Sequence, residues 1–198
     1  MRKQFVFLVL VFAGCGSSLY AQKGFLPGFV VLHNQDTLTG LVKDRKDYPF
    51  TRKYEKIRFK RGSLFVHKYS AEMIKAYRYS NLDYESVWLD QKRERFREKF
   101  YSRTGEGKQL FLQRSIQSKY LSYYMLEYVD QDSGVIDEVP LFKRPGDDYF
   151  IRVSQGILGL KKKLLADYFS DCPVLAQRIQ QGEFHAAGEI IQAYSSCR

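Results

Sequence analysis

The chain has little cysteine, histidine or tryptophan. Its 198 residues hold three cysteines, three histidines and one tryptophan, Trp88. No two histidines stand at metal-ligand spacing and no cysteine pair supports them, so the sequence gives no reason to expect a metal or a cofactor. A Gly-x-Ser-x-Gly nucleophile elbow is absent. The segment Gly156-Ile157-Leu158-Gly159-Leu160-Lys161 lacks the spacing and the Lys-Ser/Thr ending of a phosphate loop, so its glycines read as turn residues. Long apolar runs are missing too. The strongest, Phe5 to Phe12, is well short of the roughly 20 residues a membrane-spanning helix needs. Acid is scarce: 22 acidic residues face 32 basic ones, a formal charge of +10.

What is present begins with an export signal. Met1-Arg2-Lys3 is a short positive start, the apolar run follows, and Leu19-Tyr20-Ala21 ends in small residues before Gln22. This three-part layout predicts a signal peptide over 1–21, with cleavage at Ala21–Gln22. A second reading lies within it. Phe12-Ala13-Gly14-Cys15 is close to a bacterial lipobox, with Phe12 in place of the usual leucine; lipidation at Cys15 would anchor the chain to a membrane without spanning it. After cleavage at Ala21 only Cys172 and Cys197 remain. In an oxidising compartment they can form one disulfide, tying the last residues to a helix start; the other reading is two free thiols.

Aromatic residues make up 16% of the chain, with 15 tyrosines and 15 phenylalanines, which favours strands. Gly28 to Lys43 reads as a hairpin, with two β-branched runs around Asn34-Gln35-Asp36. Phe29, Val31 and His33 share one face of its first strand, and Val30 and Leu32 the other, so both faces are expected to be covered. The stretch 44–55 reads as a loop. Strands are expected at 56–60, 63–69, 76–79, 84–89, from Phe96, and at 108–116, 119–129, 135–142 and 149–153, with turns at Arg61-Gly62, 80–83, 105–107, 130–134 and Pro145-Gly146. The period then changes to 3.6. Ile157, Leu160, Leu164, Leu165, Tyr168 and Phe169 form one helical face. A second helix starts at Asp171-Cys172-Pro173, carries Val174, Leu175 and Ile179 as its apolar stripe, and stops at Gly182. A third runs from about Ala187 to Tyr194.

The expected fold is α+β: an antiparallel sheet, open or sandwich-like, over 22–155, then a helical segment of about three short helices over 156–198, packed on the sheet. An outer-membrane barrel would suit aromatic strands, but the charged strands at 56–60 and 92–101 and the helical last quarter argue against it.

The leader contributes Arg2 and Lys3 and no acid, so the remainder still carries 30 basic against 22 acidic residues. Such a balance suits an anionic glycan or lipid, and Lys161, Lys162 and Lys163 are the candidate anion contacts; nucleic acid is not an expected partner of an exported chain. The plain alternative is that these lysines are the wet face of an amphipathic helix. Asp83, Glu85, Asp147 and Asp148 are the acids from which a glycan-acting hydrolase would draw a carboxylate pair.

Two segments, Gln35-Asp36-Thr37-Leu38-Thr39-Gly40 and Tyr168-Phe169-Ser170-Asp171-Cys172-Pro173-Val174-Leu175, carry a family likeness. Through them most of the exported part resembles a group of secreted envelope proteins of Bacteroidota. That group usually has glycine where Gln35 stands, so a different turn geometry is expected here. It has no established activity, so the resemblance implies compartment and fold, and no catalytic residue. The expected function is a non-catalytic envelope protein, periplasmic or outer-membrane associated, that binds a protein partner or scaffolds a complex. Binding of an anionic glycan or lipid is the alternative, and hydrolysis the third.

Overall fold

The computed structural model describes residues 24–45, 56–62, 65–94, 97–129, 136–154 and 158–197. The expected signal peptide with Cys15, most of the loop at 44–55, the turn at 130–134, and Gly156 with Ile157 lie outside the described residues. The elements in chain order are β1 (Leu26–Leu32), β2 (Thr37–Lys43), β3 (Lys56–Lys60), β4 (His67–Ser70), β5 (Ile74–Tyr79), β6 (Leu82–Glu94), β7 (Arg97–Tyr101), β8 (Lys108–Gln117), β9 (Ser122–Val129), β10 (Ile136–Lys143), β11 (Tyr149–Arg152), α1 (Lys162–Tyr168), α2 (Pro173–Gln181) and α3 (Ala187–Ser195).

All strand pairings are antiparallel, and the molecule is antiparallel β followed by three short helices. The sheet is not open, however. The order β6-β7-β11-β10-β9-β8 returns to β6, closing a six-stranded barrel. Five further strands, β4-β3-β2-β1-β5, extend from β6. Strand β6 makes this possible by its length. Leu82 to Glu85 pair with β5, Tyr84 to Leu89 with β8, and Asp90 to Glu94 with β7. The sequence reading ended this strand at Leu89 because charged residues follow; they continue it instead, as the first half of the β6–β7 hairpin. The ring closes at β7–β11 through just two register pairs, Tyr101–Tyr149 and Phe100–Phe150.

Alternation along the strands sorts side chains into three cores. Leu89, Phe100, Leu112, Tyr124, Val139, Leu141 and Phe150 fill the barrel. Their neighbours point outward. Phe111, next to Leu112, joins Val30, Val42, Ile57, Phe59, Ile74, Tyr77 and Tyr84 beneath the extension, which thus packs on the outer wall. Phe142, next to Leu141, meets the helices, with Leu121, Val153, Leu165, Phe169, Leu175, Ile179, Ile190 and Tyr194.

Several local expectations need correction. The first hairpin buries one face: Val30 and Val42 are buried, whereas Leu41 is 36% exposed. Helix α1 is shorter than its apolar pattern suggested, since Leu160 pairs with Ser154 in an isolated bridge before it, and Leu164 is exposed. Val174 is 70% exposed, so Leu175 and Ile179 are the buried members of the α2 stripe. Gln35 takes φ +71°, so the turn keeps the left-handed geometry that a glycine would favour. Gly28 and Gly40 sit opposite each other in the β1–β2 pairing. A Cβ on Gly40 would collide with the Lys60 carbonyl and the Phe59 ring, so that position of the segment is set by close backbone approach.

Candidate binding surface

The interior polar groups come first, because chemistry would reside there. They form tyrosine–carboxylate–arginine sets. Tyr77 donates to Asp44 Oδ1 at 2.5 Å, and Arg45 reaches Asp44 at 3.4 Å, Glu127 at 2.6 Å and the Phe111 carbonyl at 3.3 Å. The Arg45 guanidinium lies 5.0 Å from the Tyr84 ring centroid. Burial opposes its charge, but the Tyr77 oxygen, Asp44 and Glu127 together hold its pKa above the ordinary value. Burial pushes the Tyr77 hydroxyl well up. In the barrel mouth Tyr124 donates to Glu85 at 2.9 Å and Arg114 pairs with the same oxygen at 3.1 Å. Nearby Lys143 donates to Ser102 Oγ at 3.0 Å, and burial holds its pKa below the usual lysine value.

The third set explains the helix-junction segment. Tyr168 donates to Asp147 at 2.6 Å and accepts from the Arg144 amide at 3.0 Å. Arg144 donates to the Tyr168 carbonyl and to Asp171 at 2.8 Å, and Tyr194 donates to Asp171 at 2.8 Å. The guanidinium packs against the rings of Tyr168, Phe169 and Tyr194. Next to Asp171, Cys172 is bonded to Cys197 with Cα atoms 6.2 Å apart, and Pro173 opens α2. The Tyr-Phe-Ser-Asp-Cys-Pro run is therefore a clasp between the β10–β11 turn and the helices.

Each of the four candidate acids is engaged by its own partners. Asp83 is held by Arg78 through two bonds of 2.6 Å, Glu85 by Arg114 and Tyr124, Asp147 by Tyr168, and Asp148 by Arg103 at 2.6 Å. His33 Nε2 bonds the Glu72 carbonyl at 2.8 Å, while His67 stacks on Tyr69. The amides of His185 and Ala186 donate to Glu189 at the start of α3. Among the described residues no three His, Cys, Asp or Glu side chains gather as a metal site would require. No helix of the described residues is long and apolar enough to cross a membrane.

The surface gives a different picture. On β3, Ile57 and Phe59 point inward, so Lys56, Arg58 and Lys60 point outward. Register then brings in the neighbours. Arg58 lies opposite Lys43 of β2 on one side and Lys68 of β4 on the other. Three cations thus stand in one row across three adjacent strands, about 5 Å apart. Lys60, in the next row, faces Leu41, which in turn faces Pro27. The Phe25 ring sits under two of the lysines, 4.8 Å from Lys60 Nζ and 5.8 Å from Lys43 Nζ. Among the described residues no acid forms an ion pair with Lys56, Arg58 or Lys68. Like charges directly opposite each other destabilise a sheet, and Arg58 and Lys68 stand so across β3 and β4.

Lys161, Lys162 and Lys163 lie at the start of α1. Sequence reading put the anion contacts there because the three are adjacent. Lys43, Arg58 and Lys68 do not stand out in the sequence, because each is on its own strand and only register unites them. The available signal was the outward triplet of Lys56-Ile57-Arg58-Phe59-Lys60. Comparison with family models, with curated proteins and with solved structures gave no match of any kind.

Proposed function

We propose that this chain is an exported, non-catalytic binding protein of the cell envelope, which docks through the cationic face of β2, β3 and β4 onto an anionic partner. The row Lys43–Arg58–Lys68 carries the reading. Arg58 and Lys68, like charges directly opposite each other, gain from a partner that brings the opposite charge, and Lys43 extends the row. The leader, the resemblance to secreted proteins of Bacteroidota and the single cystine suit an oxidising compartment outside the cytoplasm. The engagement of each candidate acid by its own partner favours binding over hydrolysis.

The test is a crosslinking pull-down of tagged full-length protein from its native envelope, read by mass spectrometry and lipid and glycan analysis. The wild type is compared with Arg58→Glu/Lys68→Glu. An anionic component captured by the wild type and lost in the variant is the expected result. Equal capture by both would defeat the reading. A protein partner is the second reading. It is favoured by β4, which among the described residues pairs only with β3 and offers a free backbone edge. Its four residues and its lysine weaken the case, because short, charged edges are how proteins discourage added strands.

A further inference from the structure

We infer that the occupant of the cationic face is the anionic headgroup layer of a membrane, a deepening that rests on the binding role proposed above. Three observations single out a membrane from other polyanions. The cations stand on a sheet face, with five of them, Lys43, Lys56, Arg58, Lys60 and Lys68, on one side of it. Apolar groups sit among them. Leu41 is exposed between Lys60 and Pro27, and Phe25 lies beneath Lys43 and Lys60. A hydrated acidic polysaccharide gains little from a leucine at the rim of its contact area. A bilayer interface accepts it, because apolar side chains enter the headgroup boundary while lysines and arginines reach the phosphates. Finally, Phe25 and Pro27 lie close behind the expected Ala21–Gln22 junction, so under the signal-peptide reading this face includes residues near the start of the exported chain. Under the Cys15 reading the lipidated cysteine would sit ten residues before Phe25, which would keep this face close to the bilayer.

The probe is the chain from Gln22, which includes all the described elements and no lipid. It is sedimented with vesicles of phosphatidylglycerol and phosphatidylethanolamine at 30:70 (roughly, to give a moderate negative surface). Vesicles of phosphatidylcholine alone and soluble polygalacturonate serve as comparisons. Binding is expected to the anionic vesicles alone and to weaken steeply with salt. Each cation near the surface is worth roughly a fivefold change in partitioning, so Arg58→Glu/Lys68→Glu lowers it by at least about 30-fold. Leu41→Ser weakens vesicle binding several-fold while the charge is unchanged. In this variant the acid at position 58 faces Lys43 as an opposite charge and the acid at position 68 as a like one, so a cooperative melt near the wild-type temperature is expected, and observing it shows that lost binding is not misfolding. Binding that ignores phosphatidylglycerol content, or a preference for polygalacturonate, overturns the membrane inference. In the second case the broader binding role stands. Binding to none of the three overturns both.

Discussion

At Gln35 the chain holds a side chain in the left-handed region, at φ +71°. Holding an L-residue there costs roughly 1 kcal/mol, which glycine avoids. Gln35→Gly should therefore raise stability by about that amount in denaturant titration, with no change in slope. Arg45 presents the opposite case. It lies between Asp44 and Glu127 and is almost fully buried. Removing one partner of a buried ion pair leaves an uncompensated charge, so Arg45→Ala should cost about 3 kcal/mol or more. Glu127→Gln in the same chain should restore part of the loss, which a double-mutant cycle would measure. Little of this was legible in advance. Arg45 sits in a charged stretch that reads as a loop, and nothing local tells that it bridges to a residue 82 positions away. For Cys172 and Cys197 the sequence offers two readings, one disulfide or two free thiols, and the structure has the disulfide.

At the level of elements, alternation was legible and closure was not. The Lys56-Ile57-Arg58-Phe59-Lys60 pattern assigns inside and outside correctly, as does the change from period two to period 3.6 after β11. Which strand lies beside which is a long-range fact. The return of β8 to β6, which turns an open sheet into a barrel, has no signature in either strand. The same holds for the cationic row. Arg58→Glu converts two like-charge neighbours into opposite-charge ones, each worth roughly 0.2–1 kcal/mol. A gain of about 1 kcal/mol in thermal or chemical melts is expected from that single change. Leu164 and Val174 carry the complementary lesson. Helical periodicity marks a stripe, but only packing decides how wide a stripe is covered.

For the whole molecule, the many tyrosines set an upper pH limit. Burial raises the pKa of Tyr77, Tyr84, Tyr124 and Tyr168 above the ordinary 10. The unfolded chain then releases phenolic protons that the folded chain retains, so stability falls as pH rises above 10. Lys143 acts in the reverse sense: burial lowers its pKa, and the penalty on its charge fades as pH rises toward 10.5. One lysine against four tyrosines leaves the fall dominant. Tyrosine absorbance and a folding signal, followed together, should change in a single step. At the acid end, Arg78 holds Asp83 and Arg103 holds Asp148 below the usual carboxylate value of 3.8. Their stabilisation is complete above that range and is lost as pH falls through their lowered values. The seam between β7 and β11 carries a consequence in time. Strands β9 and β10 are chain neighbours with eight register pairs, whereas β7 and β11 are far apart in sequence and share two. Chain entropy makes such a pairing slow to form and poorly rewarded when it does. The barrel should therefore shut last, and in the finished protein it should part there first. The Arg103–Asp148 bond and the Ser102 amide on the Asp148 carbonyl act as its latch. Amides of Phe100 and Phe150 should exchange with deuterium sooner than those of β9 and β10, in a brief opening of the wall that leaves the cationic face and the helical clasp in place.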